Sequence, residues 1–129
     1  MSFEITAIYS ALVALLFVGL AARVSQLRIK FARSTDNEEL RSMDVAIRAH
    51  GNIAEHAALT MVLLALAEST GAGAGFMHLM GSLFLLSRLA HAWGYTTNRG
   101  KASKMRGAGA GLNWLVIVIV ALNILINAI

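Results

Sequence analysis

The chain has 129 residues, 57% of them hydrophobic and only 14% charged, and it contains neither cysteine nor proline. A soluble domain carries about a quarter charged residues, so the composition excludes a water-soluble globule and predicts an all-α integral membrane protein. Without cysteine there is no disulfide, thiolate metal site or cysteine nucleophile, and the net charge of +4 is read as orienting membrane spans rather than binding nucleic acid.

Four helices are predicted in chain order. The first runs from about Glu4 to Phe31 and contains an uncharged stretch of 18 residues, Ile5 to Ala22. No Lys or Arg precedes that stretch, so it lacks the basic start of a signal peptide and reads as a resident span. The second begins near Glu39 and ends around Ser69. A glycine-rich turn, Thr70 to Gly75, leads to the third, which ends near Thr96. A basic loop, Asn98 to Arg106, precedes the fourth, whose uncharged stretch covers the 23 residues from Gly107 to Ile129. Crossing the hydrocarbon core takes about 20 apolar residues. The expected architecture is therefore one four-transmembrane-helix bundle over residues 1–129, closed by short turns.

Charge sets the orientation. All eleven Lys and Arg residues fall around the first connection (Arg23, Arg28, Lys30, Arg33, Arg41, Arg48) or the third (Arg88, Arg99, Lys101, Lys104, Arg106). In a four-span chain these connections share a side, which the positive-inside rule makes cytoplasmic, with both termini opposite. In a bacterium the membrane would be the inner one. Helices two and three, however, each offer only 12 uncharged residues, His56 to Ala67 and Phe76 to Ser87. Each must draw its polar cytoplasmic turns into the span, which implies a shared polar cavity at that end.

Those turns carry the chemistry. Arg48, Asn52 and Glu55 stand at i, i+4 and i+7, and Arg88, His91 and Tyr95 at i, i+3 and i+7, so each set lies on one helix face. Two guanidinium forks, an amide, a carboxylate, an imidazole and a phenol suit a zwitterionic molecule with several carboxylates better than a bare ion. The alternative from residues alone is structural: Arg48–Glu55 and Arg88 as buried ion pairs that hold the bundle together. Asp44, four residues before Arg48, is expected to orient it. The histidines supply no third ligand at metal spacing, and no metal is expected.

Arg-Ala-His-x-Asn-x-x-Glu on helix two, followed by Arg-x-x-His-x-x-x-Tyr on helix three, resembles the MAPEG family, the membrane-associated proteins of eicosanoid and glutathione metabolism. The resemblance extends over length, four spans, basic loops and both motifs in order, and is closest to the short bacterial members. It implies a homotrimer binding glutathione between neighbouring subunits, with Arg48, Asn52 and Glu55 holding the tripeptide and Arg88, His91 and Tyr95 completing the site from the same or the adjoining subunit. Arg28 resembles a helix-one basic position that reaches glutathione in relatives, and His56 stands where some relatives have a tyrosine. The family's catalytic arginine opens helix four; Arg106 is its best counterpart, with Lys104 and Arg99 as competitors in a longer loop. Gly107 replaces the serine that follows this arginine in the prostaglandin synthase, which favours a general transferase over a specialised isomerase.

The implied function is a membrane glutathione transferase, with glutathione-dependent peroxidase activity beside it, acting on lipophilic or lipid electrophiles that arrive through the bilayer. Two rivals stand: a non-catalytic lipid-binding scaffold of the same family, and a small proton or solute carrier using Glu55 and His91 as a relay. Among other features, the Gly107–Gly111 run lacks the Lys-Ser/Thr ending and preceding strand of a phosphate loop; Gly107 and Gly111, four apart, predict close helix packing. Asn113, Asn123 and Asn127 are expected to hydrogen-bond across helices, Glu68 and His78 to be solvated at the far interface, and Trp93 to anchor near the cytoplasmic boundary.

Overall fold

A computed structural model describes residues 3–128, and the expected last residue of helix four, Ile129, lies outside them along with the first two residues of the expected domain. The helices are α1 (Glu4–Lys30), α2 (Asn37–Ser69), α3 (Ala74–Thr97) and α4 (Lys104–Ala128). The expected four-helix bundle is present. One boundary differs in a way that matters: Lys104, Met105 and Arg106, expected in the loop, form the first turn of α4. The Ser103 hydroxyl accepts from the Arg106 N–H at 3.2 Å, an N-cap that starts the helix three residues earlier than the glycine run.

Local chemistry sets the other ends. Asp36 caps α2, its Oδ1 accepting from the N–H groups of Glu38 and Glu39 at 2.9 and 3.0 Å. Both α2 and α3 close with the paired bonds of a Schellman motif. After α2, Ala72 donates to Ala67 and Gly71 to Glu68; after α3, Gly100 donates to Tyr95 and Arg99 to Thr96. Gly71 supplies the left-handed residue of the first motif, with φ 90°. In the second that residue is Arg99, at φ 51°, which costs about 1–2 kcal/mol for a side chain with a Cβ. Side-chain contacts hold it there: the Arg99 guanidinium pairs with Glu38, and its carbonyl accepts from Arg41 Nε and Nη2 at 3.3 and 3.2 Å.

Inward residues repeat every three or four positions, as on a single helix face. Val13 of α1, Ile53 and Leu64 of α2, Met77, Met80 and Phe84 of α3, and Val116 and Val120 of α4 form the core. The opposite faces remain apolar, with Leu15 of α1 71% and Ile126 of α4 77% exposed. Outward apolar faces this continuous belong in lipid rather than water. α1 and α4 have the length and mean hydropathy, 2.3 each, of membrane spans. α2 and α3 fall short because their basic-end turns are polar, as the sequence predicts.

Gly81 and Gly109 set two of the close helix approaches. At Gly81 of α3 a Cβ would lie 2.3 Å from the Tyr9 ring, so α1 crosses α3 there. At Gly109 of α4 it would lie 2.7 Å from both the His91 nitrogen and the Ser87 carbonyl oxygen. The close approach expected of Gly107 and Gly111 therefore belongs to the glycine between them: nothing described lies within 4 Å of a Cβ at either flanking position. A two-residue shift moves the contact to the opposite side of the helix.

The end away from the arginines is also more engaged than expected. Glu68 accepts from the N–H groups of Ile5 and Thr6 at 3.0 and 2.8 Å, capping α1 from 62 residues away. Burial alone would raise its carboxyl, but hydrogen bonds from Thr6 and Ile5, with His78 nearby, hold it below its usual value of 4.5. The Tyr9 hydroxyl donates to the His78 carbonyl at 2.9 Å and lies 2.7 Å from Ser82 Oγ. The asparagines of α4 differ from expectation as well. Asn127 bonds the Asn123 carbonyl within its own helix, and the fully buried Asn113 side chain has no partner among the described residues.

Candidate functional site

The site begins with the spacing of polar residues on α2. Arg48, Asn52 and Glu55 follow one helix face, and Ile47 and Gly51 fill the gaps between them. α3 lies alongside and presents His91 and Tyr95, while the first turn of α4 supplies Arg106. These residues line a cavity of about 360 Å³. A second, of about 400 Å³, shares Asn52, His91 and Arg106 with it and continues past His56, Ala110 and Trp114. Trp114 is 64% exposed on the apolar outside of α4. The first cavity is thus dominated by charge, and the second leads to the lipid-facing surface.

Arg106 borders both cavities. Its guanidinium carbon stands 4.6 Å over the Tyr95 ring, within cation–π range, and Nη1 donates to the Gly100 carbonyl at 3.2 Å. Tyr95 in turn stacks on His91 at 6.0 Å with the rings 13° apart. The geometry depends on close backbones: a Cβ at Gly94 would meet the Arg106 nitrogen at 2.6 Å. No side chain fits between α3 and α4 at that level, so Arg106 is set directly against the Tyr95 face.

Arg88 behaves differently from Arg106. It is 2% exposed and donates from Nη1 to Asn52 Oδ1 at 2.7 Å, from Nη2 to the Gly109 carbonyl at 3.0 Å and from Nε to Ser87 Oγ at 3.1 Å. One guanidinium therefore ties α2, α3 and α4 together through neutral acceptors. The ion-pair alternative is not realised among the described residues, since Arg48 pairs with Asp44 at 3.0 Å and not with Glu55. That pair is solvent-exposed, and Asp44 orients Arg48 as its spacing predicts.

Of the residues singled out from sequence, Arg48, Asn52, Glu55, His91, Tyr95 and Arg106 converge on one cavity, and Arg88 lines the adjoining one. His56 lines that second cavity too. Arg28 is exposed on the last turn of α1 and lines none of these clefts. Of the competing basic residues, Arg99 is held by Glu38, and Lys104 lines neither cavity. Sequence reasoning missed the contribution of Trp114 and Ala110. Their signal was available at i and i+4, Ala110 within the glycine run and Trp114 just beyond it.

Chemically, the first cavity offers an exposed guanidinium, an exposed carboxylate, an amide and an aromatic-backed arginine. That set can hold an anionic group, an ammonium group and a polar amide together, with a fixed positive charge where the two cavities meet. The family model of the MAPEG family matches residues 6–126. The chain is also similar to the inner membrane protein YecN of Escherichia coli strain K12, at 27% identity over 118 residues, which cover 92% of this chain and 88% of that protein. YecN of E. coli O6:H1 strain CFT073 matches to the same extent. The family match runs through all four helices and every residue that lines the two cavities, and the chain belongs to the MAPEG family as an integral membrane protein.

Proposed function

We propose that this chain is a subunit of a homotrimeric membrane glutathione transferase in which Arg106 holds the glutathione thiolate for attack on a lipophilic electrophile. The observation that carries the reading is the position of Arg106, the charged residue common to the polar cavity and the cavity leading past Trp114 to the membrane. Glutathione, with two carboxylates, an ammonium group and two amides, matches the polar side: Arg48 for a carboxylate, Glu55 for the ammonium, Asn52 for an amide. Arg88 acts through Asn52, whose Oδ1 it fixes. His91 and Tyr95 form the wall against which Arg106 is set.

A free thiol has a pKa near 8.5 and is only a few per cent thiolate at neutral pH. A guanidinium beside the sulfur in a partly dry site favours the anion and lowers that value by ~1–2 units. Arginine stays protonated throughout and cannot compete as a base. The thiol proton leaves to solvent, the sulfur forms a bond to the electrophilic carbon, and the leaving group departs with its electron pair. A hydroperoxide would instead take the thiolate at oxygen, with a second glutathione resolving the product to disulfide, which accounts for the peroxidase expectation.

The trimer is supported by the outer face of α2. Glu55 is exposed there in line with Leu59, Val62 and Leu66, which are 53%, 57% and 48% exposed. A carboxylate in such a stripe at span depth is costly in lipid and calls for a protein neighbour. Arg28 would then reach the site from the adjoining subunit. The basic connections face the cytoplasm, in an inner membrane if the source is bacterial.

The test is glutathione conjugation to a nitro-substituted aryl chloride by detergent-purified protein, with Arg106→Ala alongside. Turnover at neutral pH should fall about 8–25-fold in the variant, while glutathione still binds, and should recover as pH rises towards 9 and the free thiol ionises unaided. Unchanged turnover in the variant removes Arg106 from this role. A wild type that neither binds nor conjugates glutathione refutes the transferase reading and brings the lipid-scaffold and carrier readings forward.

A further inference from the structure

The basic end holds a second cluster on the other side of α3. Arg23 of α1, Arg41 of α2 and Arg99 after α3 converge on a small cleft of about 50 Å³ that also takes in Ser42 and Thr96. No acidic residue lines it. The adjacent carboxylate, Glu38, is held by Arg99, and Arg41 has two donors on the Arg99 carbonyl. Arg23 is exposed and has no hydrogen bond or ion pair among the described residues. Glu38 offsets the charge of Arg99, and the remaining positive charge of Arg23 and Arg41 around so small a space favours an anion between them.

The cleft borders an apolar groove. The groove, of about 240 Å³, runs between α1 and α3 and shares Arg23 and Thr96 with the cleft; Leu16, Leu20, Leu89 and Trp93 form its sides. Trp93 is 68% exposed beside it, at the level where indoles anchor in the headgroup region. Its α3 residues lie on a different face from His91 and Tyr95, so the groove is separate from the glutathione-type cavity.

We propose that the cleft and groove form a binding site for an anionic phospholipid of the leaflet at the basic end. Its phosphate sits among Arg23, Arg41 and Arg99, and one acyl chain lies along Leu16, Leu20 and Leu89. Charge selects the headgroup, and the shared border of the two spaces at Arg23 and Thr96 selects a lipid over a free anion. Basic pockets between helices on the cytoplasmic side hold anionic headgroups by the same physics. None of the three arginines is assigned a role in the transferase reading, although Arg41 and Arg99 also line a cavity of about 350 Å³ with Arg48, Tyr95 and Arg106.

Purified protein in detergent is titrated with phosphatidylglycerol, with phosphatidylcholine of the same chains, and with glycerol phosphate, following lipid adducts by native mass spectrometry and the melting temperature. Phosphatidylglycerol should bind and raise the melting temperature, and the other two should not. Arg23→Gln should weaken phosphatidylglycerol binding about fivefold, the equivalent of one surface basic contact, while leaving lipid-free melting unchanged. Arg33→Gln, an equal charge loss elsewhere on the same connection, should leave the affinity unaltered. Equal stabilisation by glycerol phosphate would make this a free-anion site. Equal binding of phosphatidylcholine, or equal effects of the two variants, would reduce it to general adhesion of lipid to a basic surface; each of these outcomes overturns the proposal.

Discussion

Gly109→Ala is the sharpest perturbation of the fold, because one methyl group tests both the helix spacing and the buried arginine. The new Cβ would sit 2.7 Å from the His91 nitrogen and the Ser87 carbonyl oxygen, where ordinary contact begins at 3.4 Å. Both obstacles are backbone, so α3 and α4 must separate by about 0.7 Å. Forcing such a contact costs about 1–3 kcal/mol. The same movement stretches the 3.0 Å bond from Arg88 to the Gly109 carbonyl beyond hydrogen-bond range. Leaving those buried groups unpaired costs about another 1–3 kcal/mol. Together the loss is roughly 2–6 kcal/mol, or a melting temperature lower by roughly 8–24 °C at ~4 °C per kcal/mol. Gly111→Ala is the control on the same helix: nothing among the described residues lies within 4 Å of its Cβ, and removing a mid-helix glycine should stabilise by about 0.5–1 kcal/mol. Both would be measured by thermal unfolding in one detergent. Equal melting of Gly109→Ala and wild type, or equal losses in the two variants, would falsify the assigned α3–α4 contact.

Three further outcomes follow from the described contacts. Glu68→Gln should lower stability by about 0.5–2 kcal/mol through loss of the α1 cap. Because the folded-state pKa of Glu68 lies below 4.5, its contribution is present above that value and lost as pH falls through the lower one. Melting followed from pH 6 downward should therefore fall more steeply in wild type than in Glu68→Gln. Asp44→Asn removes a solvent-exposed i, i+4 pair and should change stability by less than about 0.5 kcal/mol; on the proposed transferase reading it should also weaken glutathione binding by freeing Arg48 to wander, and calorimetric titration separates the two. Arg88→Leu should be far more damaging than Arg48→Leu to melting, by about 3 kcal/mol or more, since it strips Asn52 and Gly109 of a buried donor while Arg48 loses only an exposed pair.

The helices and the residues of the cavity were legible because both obey short-range rules. Arg48, Asn52 and Glu55 share a face by helical spacing alone, as do Arg88, His91 and Tyr95, and the charge clusters mark one end of the bundle. Depth of burial within a face was not legible. Arg88 and Arg48 occupy equivalent places in their motifs, yet one is sealed among neutral acceptors and the other is exposed. That difference arises from the close approach of α4, fixed by Gly94 and Gly109, and spacing on one helix carries no information about the neighbour. The glycine run shows the same limit: its composition announced a tight contact, while the side of α4 facing α3 was decided by packing. The start of α4 failed for a local reason. Lys104 and Arg106, closing a basic stretch that begins at Arg99, read as loop, although Ser103 before them is an adequate cap.

The bond pair from Glu68 to Ile5 and Thr6 has a bearing on how the chain is built. Synthesis delivers the first span long before the residue that completes its leading turn, so the opening amides of α1 lack their carboxylate until the second span has been made. The first two spans are therefore coupled during insertion, and the outer end of the first settles only when the second has crossed. In nascent chains too short for residue 68 to have left the ribosome, the first turn of α1 should remain open to amide exchange, and once the chain is long enough for residue 68 to cross, the protection should appear in one step.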